Sequence, residues 1–278
     1  MLTKLEALLQ GHPRLVALTG AGISVDSGIP TYRDDEGEWQ RSDPIQHQDF
    51  IEHAATRQRY WARSMAGWSY VATSRPNRAH YALAELEQAG HIELLVTQNV
   101  DRLHQRAGHE RVIDLHGRLD RVTCLDCGAI VARASLQGEL QALNTRWSAY
   151  IAEVLPDGDA EVDDCVVEDF QVPPCRACGG VLMPDVVFFG GSVPRSRVQK
   201  VSRAIEEADA LLVVGSSLAV FSGFRFCRQA HKLGKPVLII NRGSTRADEL
   251  ASVKIAHDAA TVLDQLCSKL GSASARVL

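Results

Sequence analysis

The sequence predicts an α/β architecture: an open, mostly parallel sheet covered by helices on both faces, with a small cysteine-bearing module inserted into it. Three observations carry this expectation. Short apolar runs alternate with helix-like stretches along the chain, and small or polar residues follow those runs where strands would end. Between about residues 119 and 184 the rhythm breaks, and two matched Cys-x-x-Cys pairs stand in the altered stretch.

Taken in order, Leu2, Leu5, Leu8 and Leu9 mark one face of a leading helix. Arg14 to Thr19 reads as a strand that runs into Gly20-Ala21-Gly22-Ile23-Ser24, then Ser27-Gly28-Ile29-Pro30. A helix is predicted over Asn77 to Gln88, and a strand over Ile92 to Thr97 that ends in Gln98-Asn99-Val100-Asp101. Helix Val198 to Ala208 precedes strand Ala210 to Val214 and the turn Gly215-Ser216-Ser217. Helix Gly223 to Leu233 precedes strand Val237 to Ile240 and Asn241. The small residues Gly271 to Ala275 are expected to fray. The main domain is therefore assigned to 1–118 and 185–278, and the inserted module to 119–184.

Length and composition bound the function. At ~150 residues per domain, 278 residues fit one large domain, or one domain with a smaller module. With 45% hydrophobic and 23% charged residues, a substantial core forms without disulfide staples. The net charge of -4 leaves no basic field for nucleic acid or anionic lipid. The apolar runs are strand-sized, far below the ~18 residues of a spanning helix. Lys4 is the only early basic residue, so no signal or transit pattern is expected, and a monomer in the cytoplasm is. Seven cysteines, four of them in two pairs, point to metal and a reducing compartment.

In Cys124-Leu125-Asp126-Cys127-Gly128 and Cys175-Arg176-Ala177-Cys178-Gly179-Gly180, two intervening residues let both sulfurs of a pair turn toward one cation. The glycine after each pair can take the positive φ of a tight turn. Four thiolates close a tetrahedral Zn2+ site with no position open for water, which predicts a structural metal. The alternatives are a redox pair or buried free thiols. Cys165 lacks a partner at this spacing, and with Cys227 and Cys267 it reads as a spare or buried thiol.

Glycines at the carboxyl end of the first strand let backbone N–H groups approach a pyrophosphate. Val25 replaces the third glycine of the dinucleotide fingerprint and no strand-end acid follows at the usual distance, so a standard dehydrogenase is not expected. Asn99, Asp101, Ser216, Ser217 and Asn241 could each be a helix cap or a turn residue. Four polar strand ends on one sheet edge instead predict a bound nucleotide.

These residues resemble the sirtuins, the NAD-dependent protein deacylases. The resemblance rests on Thr19 to Ser24 with Ser27 to Pro30, Thr97-Gln98-Asn99-Val100-Asp101-Arg102-Leu103-His104, and Leu115-His116-Gly117. Both cysteine pairs, Pro184 to Gly190, and Gly215-Ser216-Ser217-Leu218 complete it, in family order over nearly the whole chain. Pro44-Ile45-Gln46-His47, Arg57 to Arg63 and the long stretch between the cysteine pairs look like class II, the branch containing the mitochondrial sirtuin 4.

The resemblance implies a Rossmann-type domain, a zinc module, and a helical excursion near 43–70, with NAD and an acyl-lysine protein substrate meeting in the cleft between them. It implies that Asn99 and Asp101 hold the nicotinamide carboxamide and that Gln98 contacts the ribose. His116 would act as general base on a ribose hydroxyl after nicotinamide leaves, on a route ending in acyl-ADP-ribose and free lysine. An imidazole suits this because its ordinary pKa of ~6.5 leaves it largely neutral yet basic at physiological pH. Gly20, Ala21, Gly22 and Ser24 would line the phosphates, with Tyr32 and Arg33 on the cofactor loop. Gly215, Ser216 and Ser217 would bind ribose and phosphate, Asn241 the adenosine ribose with Arg242 and Gly243 beside it, and Ala259 the adenine. The peptide would add as a strand between Phe189-Gly190 and the segment around Val220. Two residues depart from the family: Thr31 where Asp is usual, and Gly191 in place of an acid.

Tyr60 and Arg63 have the Tyr-x-x-Arg spacing that class III sirtuins use for acidic acyl groups, and on a helix they would share a face. The alternative is a solvated arginine face with Tyr60, Trp61 and Trp68 packing inward. Lipoyl and biotinyl groups are further acyl candidates. Mono-ADP-ribosyl transfer to protein shares the early NAD cleavage, and a nonenzymatic NAD or ADP-ribose sensor is a third reading. His116 favours deacylation, because binding alone needs no base beside a ribose.

Overall fold

A computed structural model describes residue 7 and residues 11–31, 44–147 and 169–274, without the side chains of 270–274. The expected leading helix face, Tyr32, Arg33, Cys165 and residues 156–168 lie outside the described residues. The elements are β1 (Leu15–Thr19), α1 (His47–Glu52), α2 (Ala54–Thr73), α3 (Arg78–Gln88), β2 (Ile92–Thr97), α4 (Leu103–Arg106) and β3 (Val112–Asp114). They continue with β4 (Gly117–Cys124), β5 (Ile130–Ala132), α5 (Arg133–Leu143), β6 (Leu182–Val186), α6 (Arg195–Glu207) and β7 (Ala210–Val214). The chain closes with α7 (Phe221–Lys232), β8 (Val237–Ile240), β9 (Val253–Ile255) and α8 (Ala259–Ser274).

Six parallel strands form one sheet in the order β3-β2-β1-β7-β8-β9. β1, β7 and β8 are buried along their whole length, the mark of parallel strands covered on both faces. Strand alternation splits the core into two layers. Leu15 and Ala17 pack with Ala82 and Leu83 of α3 and Leu263 and Leu266 of α8. Val16 and Leu18 pack with Val201 and Ile205 of α6 and Phe226 and Ala230 of α7.

Register places the site. Thr19 stands beside Thr97 and Val214, Val214 beside Ile240, and Thr97 beside Asp114. Five strands therefore end at one level, and the residues that follow them, from Gly20, Gln98, Leu115, Gly215 and Asn241, leave the same sheet edge. Asn77 caps α3 by accepting from the Ala79 N–H at 2.9 Å. Its amide donates to the Ile23 carbonyl at 2.7 Å, tying that helix to the glycine turn.

A second sheet, β5-β4-β6, is antiparallel. Its core is shared with the helical excursion: Phe50, Tyr60, Trp61 and Met65 pack with Val122, Leu136, Phe170 and Leu182. Trp61 Nε1 donates to the Leu182 carbonyl at 3.3 Å. Arg133 is fully buried, lies 4.8 Å from the Trp68 ring centre and donates to the Ser64 carbonyl at 3.1 Å.

The excursion extends to Thr73, beyond the expected 70, and β3 and β9 are strands the local pattern did not predict. α6 and α7 begin at Arg195 and Phe221, earlier than the apolar periodicity indicated. Gly271 to Ser274 continue α8, and Ala275 lies outside the described residues.

Candidate active site

The first turn after β1 is built by close backbone contact. Gly22 N donates to the Gly215 carbonyl at 2.9 Å, and a Cβ on Gly215, at φ +60°, would lie 2.4 Å from Ile23 N. Only glycine lets the loops after β1 and β7 approach this way. Leu218, at φ +57° and buried, keeps a conformation that costs a side chain roughly 1–3 kcal/mol, next to the same loop.

Polar side chains knit these strand ends together. Asn99 Nδ2 donates to the Gly20 carbonyl at 3.1 Å and to Ser24 Oγ at 3.0 Å, and Ser24 donates to Asp101 Oδ2 at 2.8 Å. Asp101 Oδ1 accepts from the Leu103 N–H at 2.9 Å. Burial raises the Asp101 carboxyl above its ordinary range, and the Leu103 and Ser24 donors oppose that. Gln98 Nε2 donates to Ser216 Oγ at 2.8 Å and to the Thr19 carbonyl at 3.2 Å.

His116 stands where the chain passes from β3 to β4. Its backbone carbonyl accepts from Val187 N at 2.7 Å, and the next residue, Gly117, has φ +90° with its would-be Cβ 2.1 Å from the Asp185 carbonyl oxygen. Gly117 is thus required by the close approach of β4 and β6. Nδ1 of His116 lies 3.0 Å from the Gln98 carbonyl and Nε2 lies 2.7 Å from Ser222 Oγ. Burial pushes the imidazole down to about 4, the Gln98 carbonyl acts in the opposite direction, and Arg197 lowers it further. The ring is neutral at physiological pH, the state a base requires.

A cleft of about 1030 Å3 opens at this sheet edge. The cleft brings together Gly20, Ala21, Gly22, Ser24, Gln98, Asn99, Asp101, His116, Gly215, Ser216, Ser217, Asn241, Arg242, Gly243 and Ala259. Phe189, Gly190 and Val220 line it as well, as do Thr31 and Gly191. Tyr60 is buried against Phe50 and Phe188 and reaches the lining. Arg63 is half-buried and is not among the described residues that line the cleft. His104 and His109 are buried away from the lining, near His80, with ring centres 4.8 and 5.2 Å apart along the series.

Ser222 and Arg225 are among the cleft residues that local sequence reasoning missed. Ser222 touches His116, and Arg225 lines the cleft with Nε buried and no hydrogen-bond partner for that atom. Both lie in α7, beyond the polar strand end that drew attention.

A dinucleotide fits this lining: two glycine loops in backbone contact form a cradle that any Cβ would fill, and polar strand ends surround it. Zinc fits the cysteines. Tetrahedral Zn–S bonds of about 2.3 Å imply sulfur separations of about 3.8 Å. Cys124 Sγ and Cys178 Sγ lie 3.5 Å apart, Cys127 Sγ and Cys175 Sγ lie 3.8 Å apart, and all four sulfurs fall within 4.8 Å of one another. Gly128 and Gly179 take the positive φ expected of them, at 70° and 77°. Cys227 behaves as a buried thiol, pushed up to about 12 by burial.

Among curated relatives, an NAD-dependent protein deacetylase of Xanthomonas axonopodis pv. citri (strain 306) is 52% identical over 259 residues, covering 93% of this chain and 88% of that protein. An NAD-dependent protein lipoamidase sirtuin-4, mitochondrial, of Bos taurus is 48% identical over 270 residues, covering 96% of this chain and 83% of that protein. A solved structure of Sir2 with a p53 peptide and NAD+ superimposes with a TM-score of 0.77 at 29% identity, covering 98% of this chain and 99% of that one. The Sir2 family model matches residues 20–222, a span that starts in the first glycine turn and ends at the serine touching His116. The chain belongs to the Sir2 family.

Proposed function

We propose that the chain is an NAD-dependent protein lysine deacylase, moving the acyl group from lysine to ADP-ribose with release of nicotinamide. The observation that carries this reading is the meeting of Gln98, Asn99, Asp101 and a neutral His116 in one cleft. NAD, when bound, supplies a ribose carbon that becomes reactive as nicotinamide departs. Asn99 and Asp101 offer the amide and carboxylate that a carboxamide needs, and Ser24 holds the two in register. Gly20, Ala21, Gly22 and Ser24 hold the phosphates. Gly215, Ser216 and Ser217 take ribose and phosphate, Asn241 the adenosine ribose beside Arg242 and Gly243, and Ala259 the adenine.

His116 Nε2 accepts a proton from a substrate hydroxyl. Phe189, Gly190 and Val220 receive the peptide by backbone pairing, which tolerates many sequences. Zn2+ held by Cys124, Cys127, Cys175 and Cys178 closes its own coordination shell and leaves chemistry to the cleft. Residues 1–118 and 185–278 form the nucleotide domain and 119–184 the zinc module, a division supported by the change of sheet at Gly117 and Val186. A reducing, cytoplasmic setting suits cysteines spaced as metal ligands.

The name and 48% identity of the bovine relative favour a second reading, in which lipoyl-type acyl groups are preferred. An acidic preference has no support from Arg63, which stands outside the cleft lining. Incubation with NAD and a panel of acetyl-, glutaryl- and lipoyl-lysine peptides, read by mass spectrometry, separates the activities. Loss of the acyl group from any peptide supports the deacylase. A mass gain on protein without peptide deacylation identifies an ADP-ribosyltransferase, and neither product leaves a binding protein.

A further inference from the structure

Both ring nitrogens of His116 are engaged. Nδ1 faces the Gln98 carbonyl at 3.0 Å; a carbonyl only accepts, so Nδ1 carries the proton. Nε2 then holds the lone pair, and the hydroxyl of Ser222 donates to it at 2.7 Å. The two partners are locked to each other. A Cβ on Gly223, the residue after Ser222, would lie 2.6 Å from Gln98 Oε1, so the start of α7 packs directly on the Gln98 side chain. That side chain is held in turn by Ser216 and the Thr19 carbonyl. The imidazole is therefore gripped between the end of β2 and the start of α7.

Resting on the deacylase reading, we propose that Ser222 is a positioning residue for the base. Its hydroxyl holds His116 in the tautomer whose lone pair faces the cleft, and occupies the place where a substrate hydroxyl delivers its proton. Ser222 keeps its own proton throughout. When the substrate hydroxyl arrives, the Ser222 O–H releases Nε2, the substrate O–H bond breaks, the Nε2–H bond forms, and the electron pair stays on the substrate oxygen. Ser222 thereby sets the direction of the lone pair before substrate is present, at a position where an alanine would leave it unpaired.

A donor on the lone pair favours the neutral ring. The charged group acting on His116 among the described residues is Arg197 of α6, which also disfavours protonation and itself lies 3.8 Å from Asp185. Ser222 and Arg197 thus act in the same direction, and removal of the Ser222 hydroxyl leaves burial and Arg197 alone to keep the ring neutral.

The test compares wild type with Ser222→Ala and Ser222→Thr by two measurements. The first is 15N NMR titration of the histidine rings in the protein without NAD, with His116 assigned from His116→Gln. The second is kcat and KM for NAD across pH in peptide deacylation. Wild type is expected to show the Nδ1–H tautomer. In Ser222→Ala, His116 titrates at higher pH, the acidic limb of kcat/KM, which reports the free enzyme, moves the same way, and kcat falls about tenfold, the size of one hydrogen bond, with KM within about twofold. Ser222→Thr restores the wild-type titration and kcat.

An unchanged His116 titration in Ser222→Ala overturns the proposal, as does a loss confined to KM. If Ser222→Ala does not fold, an Nε2–H tautomer in wild type overturns it and an Nδ1–H tautomer with wild-type behaviour in Ser222→Thr supports it. The NMR arm needs no turnover, so a wild type that titrates as expected but deacylates nothing counts against the deacylase reading alone.

Discussion

β1, β7 and β8 are buried on both faces, whereas the three-stranded sheet leaves Ile130 61% exposed and turns Cys127 and Cys178 to solvent. The cleft edge stands on apolar area removed from water. The cysteine module has less of that area, borrows α1 and α2 to complete its core, and gathers four sulfurs that would repel one another as thiolates. The difference separates two kinds of polar residue. At the cleft, Asn99, Asp101 and His116 stand on the polar edge of a sheet whose core is apolar, so substitutions there are expected to leave the sheet folded. In the module, the polar groups are the fold.

Metal removal gives the largest contrast. Structural zinc contributes about 10–16 kcal/mol in small peptides, and the module is the region coupled to it. A strong chelator is expected to release one Zn2+ per chain and strip amide protection from Gly117–Cys124 and Leu182–Val186, while Leu15–Thr19 and Ala210–Val214 keep theirs. Hydrogen exchange reads both at once, and equal loss in the two sheets would break the contrast.

A smaller effect lies at the joint between the regions. Gly117→Ala combines a left-handed φ with a 2.1 Å approach to Asp185, and roughly 3 kcal/mol of destabilisation is expected. Gly128→Ala has a similar φ of +70° but no atom within 4 Å, and should cost roughly 1–2 kcal/mol. Urea unfolding compares the two; a Gly128 effect as large as that of Gly117 would remove the steric argument.

The smallest effect for a single residue is pH-dependent and belongs to the main domain. Burial holds His80 at about 3 and His116 at about 4, and His104 well below its ordinary value. Unfolded imidazoles take up protons near pH 6.5 while these do not, so stability is present above that pH and is lost as pH falls toward about 4. Each such histidine contributes a slope of about 1.4 kcal/mol per pH unit in that window. Denaturant unfolding at pH 7 and 5.5 should show the loss, and His80→Gln should reduce it by one proton's worth. A flat profile would mean that the histidines are solvated.

The cleft was largely legible because its signal is local: glycine or a polar residue directly after an apolar run, repeated at β1, β2, β7 and β8. The cysteine spacing was legible for the same reason. Distance in sequence hid the rest. β9 offers only Val253, Lys254 and Ile255, too short for a period to register. That Trp61 would bond Leu182, joining the excursion to the module, follows from packing across 121 positions of chain. Tyr60 and Arg63 share a helix spacing, yet only the tertiary structure shows which face meets the cleft. Ser222 carried no signal, being one serine at the start of an amphipathic helix, until register set it against His116.

The most direct measurement compares wild type with His116→Tyr, using NAD and an acetyl-lysine peptide, with turnover read by mass spectrometry and NAD binding by calorimetry. The expected result is retained binding with deacylation reduced about 10²–10⁴-fold, the usual contribution of a general base. A His116→Tyr enzyme that turns over within tenfold of wild type would contradict the assignment of the cleft's chemistry to this imidazole.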